Sequence, residues 1–127
     1  MTATVPPRPY PEWRAKEIDR AEDAAYAFGH DLIVHCREEA LREITSDTTA
    51  ATRAIVEKAV DVALHNVMDL LEGLWPLPSG PTHSLAYALQ VRITDAGGKV
   101  IETQEISPAR LDLPIGYWKW SRDREFR

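Results

Sequence analysis

Leu70-Leu71-Glu72-Gly73-Leu74-Trp75-Pro76-Leu77-Pro78-Ser79-Gly80-Pro81-Thr82-His83-Ser84-Leu85-Ala86-Tyr87-Ala88-Leu89-Gln90-Val91-Arg92-Ile93-Thr94 is the stretch in which this chain changes period. Ahead of it, Ile55, Val56, Ala59, Val60, Ala63, Leu64, Val67, Leu70, Leu71 and Leu74 recur at helical spacing, which predicts a helix over 50–74. Its apolar surface covers more than half the circumference and leaves a narrow polar stripe of Glu57, Asp61, His65, Asp69 and Glu72, so packing on several sides is expected. Pro76, Pro78 and Pro81 cannot continue it, because each lacks an amide donor and restricts the residue before it. Beyond them Leu85, Tyr87, Leu89, Val91 and Ile93 alternate with smaller or polar residues, the pattern of a strand covered on one face.

Asp95-Ala96-Gly97-Gly98-Lys99 supplies glycines for a hairpin turn, and the chain returns through Val100 to Ile106, giving a β-hairpin over 85–106. Glu102, Gln104 and Glu105 interrupt the second strand, which therefore reads as an edge. Ser107-Pro108 ends it, and Leu111, Leu113 and Ile115 around Pro114 read as extended chain entering an aromatic tail over 107–127. The tail from Tyr117 onward carries four basic and two acidic side chains, suited to packing on an acidic remainder.

Upstream, residues 12–45 hold no proline and one glycine, Gly29, among good helix formers. Thirty-four helical positions would form a rod of about 51 Å, longer than the roughly 36 Å diameter of a domain of this size. The preferred reading is a break at Gly29; an unbroken rod would need a partner chain along its overhang. In the second half, Leu32, Ile33, Cys36, Ala40 and Ile44 share one arc, which marks Cys36 as a buried structural thiol. Thr45-Ser46-Asp47-Thr48-Thr49 clusters helix-capping side chains at a turn between antiparallel helices. Residues 1–11, with Pro6, Pro7, Pro9 and Pro11, read as a polyproline arm. The expectation is one α+β domain over 12–127, with a long helical hairpin of two or three helices packed with a C-terminal β-hairpin.

The chain has 127 residues and a formal charge of −5, the wrong sign for a protein built to neutralise phosphates, so nucleic-acid binding is not expected. The single cysteine excludes an intrachain disulfide framework and fits the cytosol. No apolar run reaches the length of a membrane span.

Two stripes, Asp31-His35-Glu39 and Asp61-His65-Asp69, stack imidazole and carboxylate at i and i+4. Facing each other on paired helices, His35, Glu39, His65 and Asp69 would make a mixed metal site, and a small metal-dependent enzyme is the alternative function. Helical spacing counts against it, since His35 and His65 each sit opposite an apolar arc and should face solvent. The Gly-x-Ser-x-Gly, His-Glu-x-x-His and P-loop motifs are absent, and no cofactor is expected. Asn66, at the margin of the apolar face, and Trp75, Tyr117, Trp118 and Trp120 are the candidate interface or ligand residues. The leading expectation is therefore a non-enzymatic protein-interaction domain, with a toxin-neutralising or inhibitory partner protein as its specific version. A homodimer is expected because the 50–74 helix, the hairpin edges and the helical overhang all leave surface that one chain cannot cover.

Overall fold

Helix α1 (Glu17–Asp31) starts after Lys16, with Glu17 and Asp19 in its first turn, where carboxylates favour the positive end of the helix dipole. A computed structural model describes residues 14–73, 75, 77–107 and 112–126. The arm over 1–11, the first positions of the helix expected from 12, Pro108 and Leu111 lie outside these residues. Gly29 does not break the helix. It is buried within α1, and the departure from α-helical winding comes three residues later, in a π-helical segment (Leu32–Arg37) that passes into α2 (Glu38–Leu41). Continuous winding over 17–41 spans about 37 Å at ~1.5 Å per residue, so the rod matches the domain and has little overhang.

The π segment also corrects the expected face of this helix. Its wider turn moves later side chains out of a 3.6-residue register. Leu32, Ile33 and Val34 are buried, while Cys36 and Ala40, assigned to the same arc by regular spacing, are exposed.

After the turn, α3 (Ala50–Leu71) opens on Thr49, whose side chain accepts the amide of Thr52 at 3.2 Å. Its wide apolar surface is only partly covered within one chain. Met68 is its only wholly buried residue, Leu64 and Leu71 pack against the core, and Ile55, Val62 and Val67 are 69%, 44% and 46% exposed. The helix ends before Gly73, which adopts a left-handed φ of 74°.

The hairpin is β1 (Leu89–Thr94) antiparallel to β2 (Val100–Ser107), with register shifts near both ends. Asp95 Oδ1 accepts the amides of Gly97 and Lys99 at 2.9 and 3.0 Å, and Gly98 takes the left-handed φ of 86° that closes the turn. β1 is shorter than the alternation predicts. Leu85 donates its amide to Leu77 O, Pro78 bridges Ser84, and Leu85 and Tyr87 stay exposed. β2 lies on α1 through Ile106 against Ala24 and Ala25, whose small side chains permit the close approach. Two of the three polar residues that made β2 read as an edge serve this contact: Arg20 of α1 donates to Glu102 at 2.7 Å, and Gln104 donates to the same carboxylate at 2.7 Å.

The tail is a helix, where extended chain was expected. Pro114 stands in the first turn of α4 (Leu113–Ser121), where its missing N–H removes no helical bond, and Asp112 Oδ1 accepts the amide of Ile115 at 3.1 Å. Leu113, Tyr117 and Trp120 of α4 join Leu32, Ile33, Met68 and Phe126 in the main core. The Glu72 carboxylate accepts from Ser107 Oγ (2.9 Å) and Leu113 N (3.1 Å), which ties the ends of α3 and β2 to the start of α4. The result is an α+β fold of a helical hairpin and a β-hairpin, closed by the C-terminal helix.

Candidate functional site

Two features of α3 carry the candidate chemistry, one on each side of the helix. The inner side holds Asp61, His65 and Asp69, the second of the two sequence stripes. α4 covers them, so His65 does not face solvent as expected. Its ring stacks on Trp118 with centroids 4.8 Å apart and meets Tyr117 edge-on at 6.3 Å. Arg122 lies over the Trp118 ring at 4.2 Å, in cation–π range. His65 Nδ1 is 3.5 Å from Asp69 Oδ2, and Asp69 Oδ1 is buried with no hydrogen-bond partner among the described residues.

Asp61 is the junction of this side. Arg37 Nε of the π segment and Tyr117 Oη of α4 both donate to Asp61 Oδ1, each at 2.7 Å. Burial raises the Asp61 carboxyl, but the hydrogen bonds from Arg37 and Tyr117 and the guanidinium charge outweigh it and leave the group below its usual range. Burial first, then donation to Asp61, pushes the Tyr117 phenol far above its usual value, so it remains a donor through the alkaline range. Three segments distant in sequence meet on one carboxylate.

The sign of the Asp61 shift sets a pH dependence. A carboxylate held below its unfolded value contributes stability that is complete above about pH 4 and lost as the pH falls through the folded value. Urea midpoints measured at descending pH should therefore drop below about pH 4. Asp61→Asn should flatten that decline, and an equally steep decline in the variant would show that other carboxylates carry it.

The first stripe is not brought to the second. His35 and Glu39 are exposed, and Glu39 pairs with Arg42 one turn along its own helix. Among the described residues no group of three or more His, Cys, Asp or Glu side chains is placed to hold a metal ion. The aromatic candidates separate: Tyr117 and Trp120 are wholly buried, Trp118 is half-buried in its stack, and Trp75 is exposed.

The outer side of α3 is different in kind. At ~100° per residue, Ile55, Ala59, Val62, Ala63 and Asn66 fall in one arc of about 100°, opposite Leu64 and Met68. All five are exposed. With Lys58 they line a shallow open groove of about 650 Å³. Asn66 thus belongs to the groove and, among the described residues, makes no hydrogen bond to a loop. The signal was present in the sequence as an apolar arc too wide for one packing partner.

Compared with known proteins, the chain matches no family model, no curated sequence and no solved structure. Among the described residues no helix is long and apolar enough to cross a membrane.

Proposed function

We propose that this chain is a protein-interaction domain that acts without catalysis of its own, and that its contact surface is the outer face of α3. The observation that carries this reading is the exposure of Ile55, Val62 and Val67 on a helix whose opposite side is already packed by α4 and the π segment. Single exposed apolar residues are ordinary, but a continuous apolar stripe along four turns of helix marks a surface that is covered in use. Burying one such side chain fully is worth roughly 1.5–3 kcal/mol, so the stripe offers enough free energy to hold a helix laid along it. The inhibitory or toxin-neutralising version of this role requires a basic partner, for which a chain of net charge −5 is suited.

A photoreactive amino acid at position 62 tests the reading in the cells that make the protein. It should form a discrete adduct of defined mass, while the same group at Asp95, on the hairpin turn, should form none. Equal, diffuse labelling from both positions would refute the assignment of α3 as the contact surface.

A further inference from the structure

No further inference is drawn: the strongest candidate, the open apolar groove along the outer side of α3 between Ile55 and Asn66, is the surface already proposed for contact, and nothing in the structure shows what covers it.

Discussion

Gly29→Ala is expected to destabilise this protein by about 1–3 kcal/mol, the reverse of what the same change does in an exposed helix. A glycine inside a helix ordinarily weakens it by roughly 0.5–1 kcal/mol relative to alanine. Here a Cβ at position 29 would fall against Cε2 and Cδ2 of the Trp120 indole, far inside van der Waals contact. The indole has no room to retreat, being wholly buried with Phe28 edge-on against it at 6.0 Å. Overpacking therefore outweighs propensity, and the sign of the effect identifies the contact. Trp120→Ala, expected to cost about 3–5 kcal/mol on its own, removes the obstacle. In that background Gly29→Ala should become neutral or stabilising, so the double-mutant cycle should show strong coupling between two residues 91 positions apart. Denaturant midpoints of the four proteins decide it. A Gly29→Ala chain more stable than the parent would mean that Trp120 does not sit on α1.

This contact also shows where the sequence could be read and where it could not. The switch from 3.6-residue to two-residue periodicity around Trp75–Pro81 announces helices followed by a hairpin, because local backbone geometry alone sets those periods. Gly29 was visible as an irregularity, but its purpose was not. Low helix propensity is the same number whether a glycine breaks a helix or admits an indole, and only the tertiary neighbour distinguishes the two. The π segment was illegible for a related reason: a regular wheel assigns Cys36 and Ala40 to the buried arc, and one wider turn rotates them to solvent. The tail misled through proline. Pro114 argues against a helix interior yet suits a first turn, and Asp112 two residues earlier was the cap that should have marked the start.

The polar cluster was half legible. Asp61-His65-Asp69 stands out as a stripe, but helical spacing alone divides the circumference into an apolar and a wet face and so places the stripe in solvent. α3 has three: a core side toward Leu64 and Met68, a polar side covered by Trp118 and Tyr117, and an open apolar side. No pattern within α3 says that α4 returns to cover its polar stripe. The basic excess of the tail was the available hint, and Arg122 over Trp118 and Arg124 paired with Glu38 at 2.7 Å are how it is spent.

Asp61→Ala should cost about 2–4 kcal/mol, far more than an ordinary surface ion pair. The distinction rests on exposure. The Arg37 and Asp61 side chains are 16% and 20% exposed, so the screening that reduces a surface pair to about 0–1 kcal/mol is largely missing. Removing the carboxylate does more than delete two hydrogen bonds. It leaves the Arg37 guanidinium facing Glu38 alone at 3.7 Å and leaves a wholly buried Tyr117 with no acceptor for its hydroxyl. Tyr117→Phe removes one bond and leaves Asp61 with Arg37, so its cost should be nearer 1 kcal/mol. Asp61→Ala combined with Tyr117→Phe should then cost less than the two changes added, because the unsatisfied phenol is gone. A loss below 1 kcal/mol for Asp61→Ala would place the cluster in solvent, and with it the assumption that α4 is held closed over α3. If the larger loss is found, the carboxylate that stood in the sequence as one member of a polar stripe is the point where the π segment, α3 and the C-terminal helix are fastened together, with the opposite side of α3 left open.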